Sequence, residues 1–164
     1  MNKIFYFFYQ TIKILNKVTV IFFKKDILLK LKDTIDKEIY KKKKIHHKYL
    51  KFFVPNETIN WRIKTFFEKE PETIEWIKTF KKKDRIIFWD IGSNIGIYSI
   101  YAAVIHKDIE VISFEPSTSN LRTLSRNISI NNLSKKIKII PLALNEKTNI
   151  FKNITETNFI EGGA

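Results

Sequence analysis

The stretch Ile86-Ile87-Phe88-Trp89-Asp90-Ile91-Gly92-Ser93-Asn94-Ile95-Gly96 decides how this chain is read. Its first half is an unbroken apolar run, β-branched and aromatic, which predicts a strand buried on both faces of a parallel sheet. The run passes directly into a turn. Gly92 and Gly96 can take positive φ or let a ligand lie on bare backbone, and Asn94 is the residue other than glycine that best tolerates the left-handed region. Behind the turn, Ile97 to Ile105 has the length and apolar richness of a helix laid on that sheet. Strand, glycine turn and helix form the first half of a nucleotide-binding βαβ unit.

The second half follows. Glu110-Val111-Ile112-Ser113-Phe114 predicts the next buried strand and delivers Glu115 at its carboxyl end. A carboxylate about 20 residues beyond the glycine turn can accept hydrogen bonds from both hydroxyls of a ribose. The turn spacing then selects among nucleotides. A dinucleotide fingerprint would be G-x-G-x-x-G with a pyrophosphate on the helix N-terminus, whereas Asp90, Gly92, Asn94 and Gly96 stand in D-x-G-x-N-x-G. That spacing suits a ligand without phosphates. S-adenosylmethionine offers an adenosine for Glu115 and an amino-acid tail for the turn.

The string Phe88 to Ser99, then Phe114-Glu115-Pro116, then Asn127 through Asn131-Asn132, then Pro141-Leu142-Ala143-Leu144, resembles the FkbM family of S-adenosylmethionine-dependent methyltransferases. The upstream Lys69 to Ile77 resembles that family's lead-in. The resemblance covers about residues 60 to 164 and implies a Rossmann-like class I methyltransferase sheet. It also implies O-methylation of a small-molecule acceptor, often a sugar or another secondary metabolite. On this reading Asp90, Gly92, Ser93, Asn94, Gly96, Glu115 and Ala143 hold the cofactor. Glu115 takes the ribose, the backbone of Gly92, Ser93 and Gly96 takes the methionyl end, and Asp90 orients the amino group directly or through water. Ala143, at the carboxyl edge of a third strand, leaves room for an adenine ring or serves only packing. Glu70, Glu72 and Thr73 read as helix capping; the family-like block adds the sharper idea that Glu70 or Thr73 lines the pocket. No residue identifies a catalytic base.

Length and composition bound these readings. A chain of 164 residues makes one main domain the default. The absence of cysteine excludes disulfides and thiolate metal sites and fits a reducing cytoplasm. His46, His47 and His106 lack ligand-like spacing with acids and read as ordinary surface or strand residues, so no metal is expected. The net charge of +13, from 30 Lys and Arg against 17 Asp and Glu, invites a nucleic-acid reading. However, the chain is rich in Lys, Asn and Ile together, and its lysine runs leave the glycine turn neutral. A solvated surface is favoured over an RNA-binding face. After Asp90 there is room for about three strands and two helices, since a βαβ unit takes about 30 residues. The sequence is therefore expected to be the N-terminal portion of a longer protein, with later strands and most of the acceptor site in the absent part.

Residues 4 to 23 are strongly apolar at helical spacing, interrupted by Lys13 and Lys17. These lysines make insertion across a bilayer expensive and break the apolar core of a secretory signal. An amphipathic helix remains, lying on an anionic membrane surface or docking on the domain or a second subunit. Residues 26 to 44 predict a second, polar helix closed by Lys41 to Lys44. Phe52, Phe53 and Val54, then Ile59, Trp61, Ile63 and Phe66, predict a hairpin or paired extended segments. Pro71 opens a short helix that leads through Lys81 to Lys83 into the central strand. After Pro116, Ser117 or Ser119 caps a helix with Leu121, Leu124 and Ile128 inward and Arg122 and Arg126 outward. Ile137 to Ile140 is a third strand, and Asn149 to Phe151 a short fourth; Asn153-Ile154-Thr155 fits a glycosylation sequon that is discounted without a signal peptide.

The expected organisation is thus helices over 1–44, a β appendage and lead-in helix over 45–83, and the N-terminal half of a Rossmann-like methyltransferase domain over 84–164. Two readings of other classes stand beside it. One is a nucleic-acid-binding or RNA-modifying protein, supported by aromatics interleaved with lysines at 45–66. The other is an inactive truncated remnant.

Overall fold

A computed structural model describes residues 2–81, 85–144 and 160–163. The expected strand at 149–151 and the sequon at Asn153 lie outside the described residues. The chain divides into two compact units, residues 1–39 and 40–164.

The first unit is a helical pair. Helix α1 (Lys3–Phe23) starts at Asn2, whose side chain accepts the amide of Ile4, and stops where Lys24 turns left-handed at φ 53°. Helix α2 (Ile27–Glu38) follows at once, capped by Asp26 Oδ1 on Leu29 N at 2.9 Å. Asn16 Oδ1 accepts from Leu28 N at 2.9 Å and fastens the two helices together. Neither helix contains a buried residue.

The second unit opens with a hairpin of β1 (Tyr40–Ile45) and β2 (Lys48–Phe53), antiparallel, with His46 left-handed in its turn. This corrects the expected helical ending at Lys41 to Lys44: the lysines are strand residues. Their side chains find partners that only the folded chain supplies, since Lys41 Nζ reaches Asn60 Oδ1 at 2.5 Å and Lys43 Nζ reaches the Lys64 carbonyl at 2.9 Å. Those partners belong to α3 (Glu57–Lys64), a second correction, because Ile59, Trp61 and Ile63 were expected to be extended. Asn56 caps α3 on Ile59 N at 2.9 Å. Ile59, Ile63 and Phe66 then bury at intervals of four and three, while Trp61 stays exposed.

Helix α4 (Pro71–Lys78) starts on proline as expected and buries Ile74 and Ile77. The main sheet then follows as β3 (Ile86–Ile91), α5 (Ile97–Ile105), β4 (Ile109–Phe114), α6 (Thr118–Ile130) and β5 (Ile137–Ile140). The three strands lie in the order β3-β4-β5 and are all parallel, with Phe88 beside Val111 and Val111 beside Ile137. The fold class is thus the Rossmann-like α/β sheet expected from the sequence. Its buried face carries Phe88, Asp90, Val111 and Ser113 against α5. The opposite face corrects the expectation of double burial, because Ile87, Trp89 and Ile91 are each more than half exposed. Helix α5 covers one side only, so the apolar run was necessary for the strand but did not dictate its cover.

Helix α6 starts at Ser117, whose Oγ accepts from Asn120 N. Arg122 and Arg126 do not point away as expected. Their guanidinium groups lie over Phe53, at 5.4 and 3.8 Å from the ring centre, and Arg126 Nε also donates to Tyr40 Oη at 2.7 Å. His106 is likewise no surface residue. It is buried, with Nε2 2.8 Å from the Ile77 carbonyl and its ring stacked on Phe80.

Candidate functional site

The carboxyl end of β3 builds the site. Asp90 is the last inward-facing residue of the strand, and its Oδ2 accepts both the amide and the hydroxyl of Ser99, at 2.9 and 2.5 Å. Ser99 Oγ is in turn 2.6 Å from Ser113 Oγ, so α5 is pinned to β3 and β4 through one polar chain in an otherwise apolar interface. Burial pushes the Asp90 carboxyl above the ordinary aspartate range, although the Ser99 bonds oppose the shift.

The turn then folds back on itself. The amides of Gly92 and Ser93 both donate to the Phe114 carbonyl at 2.9 Å, and Gly96 N donates to Ser93 O at 2.8 Å. Gly92, Asn94 and Gly96 all have positive φ, as the spacing required. The two glycines serve different ends. A Cβ on Gly92 would meet nothing within 4 Å, whereas one on Gly96 would stand 2.4 Å from Leu124 Cδ1. Gly96 therefore lets α6 approach, and Gly92 leaves an open flank.

That flank is the floor of a cavity of about 310 Å³, lined by Asp90 and the Gly92-Ser93-Asn94 turn on one side. The volume lies at the lower end of ligand pockets, which run from about 300 to 1,000 Å³. The rest of the lining includes Arg62 and Lys69 as cations, together with Glu70 and Tyr98. Burial, then the Glu70 carboxylate beside it, raises the Tyr98 hydroxyl well above the usual phenol range. Lys69 Nζ lies 3.4 Å from Glu70 Oε1. Glu70 and Thr73 both line the cavity.

Of the seven residues singled out in the sequence, four line this cavity. Glu115 sits behind the turn instead, buried, with Oε2 accepting from Asn94 N at 2.6 Å and Oε1 from Ser117 N at 2.9 Å. The short segment from Ile160 to Gly163 packs beside it: Asn94 Nδ2 donates to the Gly163 carbonyl at 2.7 Å, and Gly162 N donates to Asn120 Oδ1 at 2.7 Å. Gly96 belongs to the packing of α6, and Ala143 is exposed beyond the end of β5. Arg62, Lys69 and Tyr98 were missed. Tyr98 could have been found, because it is the second residue of the helix that starts on the glycine turn. Arg62 could not, since its segment read as extended. Among the described residues no cluster of His, Cys, Asp or Glu is arranged to hold a metal ion.

These features define a Rossmann-like α/β unit with a mixed-charge pocket at the carboxyl end of its first parallel strand. No family model matches the sequence, and no curated protein matches it significantly. Among solved structures the chain is similar to an S-adenosylmethionine-dependent methyltransferase from Agrobacterium tumefaciens, with a TM-score of 0.48 and 15% identity over 63% of this chain and 32% of that one. It is similar to the StiE O-MT at a TM-score of 0.42 and 11% identity, over 54% and 31% of the two chains. The N-terminal domain of human METTL16, solved with S-adenosylhomocysteine, matches at 0.35 and 17%, over 60% and 40%. The chain thus spans between 31% and 40% of the length of these three solved chains.

Proposed function

We propose that this chain is the donor-binding part of an S-adenosylmethionine-dependent methyltransferase of the FkbM kind, acting on the hydroxyl of a small molecule or sugar. The observation that carries the reading is the open flank of Gly92 on the floor of the cavity. A backbone with no side chain and free space beside it lets a ligand lie against the strand end. The amides of Gly92 and Ser93 are engaged with Phe114, so the ligand meets the outer surface of the turn rather than its N–H groups.

The charges of the wall fit a zwitterion. Arg62 and Lys69 are placed for a carboxylate, and Glu70 and Asp90 for an ammonium group, which together make an amino-acid tail. Glu115 retains acceptor capacity for a ribose hydroxyl beyond its two backbone bonds and the bond from Asn120 Nδ2, because a carboxylate has about four lone-pair positions. Ala143 would flank the adenine. When bound, the cofactor supplies a methyl group on a sulfonium, and the protein's contribution is to hold donor and acceptor in line.

Calorimetric titration of S-adenosylmethionine, and separately of its demethylated product, into the 164-residue chain tests the reading. The expected result is saturable binding on the order of micromolar, lost in Lys69→Ala or Gly92→Val with the circular dichroism unchanged. A folded chain that takes up neither compound overturns it.

A further inference from the structure

Helix α1 has a face that nothing within its unit covers. Ile4, Phe7, Phe8, Leu15, Val18 and Phe22 recur at helical intervals and share that face, with Phe7 and Phe22 exposed at 69% and 74%. Helix α2 takes a different side, through Asn16. A contiguous row of exposed large apolar side chains marks an interaction site.

The charges beside it identify the partner. Lys3 and Lys17 fall on an arc beside that face and Lys13 on the side opposite it, and Lys24 and Lys25 follow the end of the helix. No acidic residue occurs before Asp26. Lysines in this place would be poor neighbours for a dry protein interface but complement anionic headgroups, while the phenylalanines enter the acyl boundary. The same lysines keep the helix from crossing: among the described residues, no helix is long and apolar enough to span a membrane.

We infer that α1 lies in the plane of an anionic lipid surface, with Phe7, Leu15 and Phe22 toward the acyl chains and Lys3 and Lys17 at the headgroups. This holds whatever the pocket binds.

Flotation of the full chain through a density gradient tests it, because vesicle-bound protein rises whereas aggregates sink. The protein is expected to float with phosphatidylcholine vesicles that contain phosphatidylglycerol and to remain at the bottom with phosphatidylcholine alone. The double variant Phe7→Asp/Phe22→Asp alters only exposed positions and should reduce the floating fraction at least about tenfold. Lys3→Glu/Lys17→Glu should remove the preference for the anionic vesicles. The inference fails if the wild-type chain stays at the bottom with both vesicles, or if the aspartate variant floats as well as wild type. It also fails if sedimentation shows a dimer that the aspartate variant dissolves without any flotation, which would assign the face to a second copy of the chain.

Discussion

Asn127 Oδ1 takes the amide proton of Phe53 at 2.8 Å, joining helix α6 to the hairpin across 74 positions of sequence. The same side chain donates through Nδ2 to the Ile95 carbonyl at 3.0 Å, in the glycine turn. One fully buried amide therefore holds hairpin, helix and site together. Asn127→Ala should leave two buried backbone groups without partners and destabilise the chain by about 2 to 4 kcal/mol. Urea unfolding followed by circular dichroism measures this; a loss below about 1 kcal/mol would show that water replaces the amide freely.

The two turn glycines should separate stability from binding. Gly96→Ala places a Cβ against buried Leu124 at φ 85° and should cost about 2 to 4 kcal/mol of stability, combining left-handed strain with overpacking. Gly92→Ala carries only the strain, about 1 to 2 kcal/mol, because the space beside it is open. Its larger effect should appear in the titration with S-adenosylmethionine. Equal losses of stability in the two variants would contradict this division.

Asp90 should make the fold less stable at neutral pH than in acid. Its native carboxyl holds its proton above the ordinary value of 3.8, so between that value and its raised native pKa the folded state binds more protons than the unfolded state. Stability then falls as pH rises through that interval. Asp90→Asn removes this slope while still accepting from Ser99 N. Stability measured by urea unfolding at a series of pH values should show the variant gaining on the wild type from about pH 4 upward. Parallel pH profiles would refute the shift.

Glu115→Gln should weaken the fold even before any ligand is added. The carboxylate accepts from the amides of Asn94 and Ser117 through opposite oxygens, and an amide side chain cannot accept through its nitrogen. A destabilisation of about 1 to 3 kcal/mol is expected. An unfolding midpoint indistinguishable from wild type would mean that Glu115 is free for other work.

The central unit was legible because its signals are local. Apolar runs at 86–91 and 109–114, a glycine turn between strand and helix, and Pro71 and Ser117 at helix starts all act within a few residues of themselves. The pocket floor followed from the same motif. Its far wall did not, because Ile59, Trp61 and Ile63 alternate like a strand, and only the burial of Phe66 beyond them reveals the helical period that carries Arg62 into the cavity. The exposed face of β3 was equally hidden. Trp89 and Ile91 are as apolar as Phe88, and only the side on which α5 lands distinguishes them. Asn127 and Asn131 showed no sign in sequence of their pairing with the hairpin, since amides that saturate distant backbone have no periodicity of their own.

Asn131 repeats, one helical turn on, what Asn127 does: it accepts from Lys51 N at 2.9 Å and donates to Lys51 O at 2.7 Å. The two amides imitate an adjoining strand along the outer rim of β2. An incoming extended chain therefore finds those rim positions already paired. Along β1 it finds Lys41, Lys42, Lys43 and Lys44, whose charges repel an identical ribbon laid alongside. The edges of a two-stranded ribbon are where another chain could pair, and here amides occupy one rim while like charges line the other. The lysine run therefore disfavours edge-to-edge pairing of identical ribbons, and it does so without a single residue of the pocket.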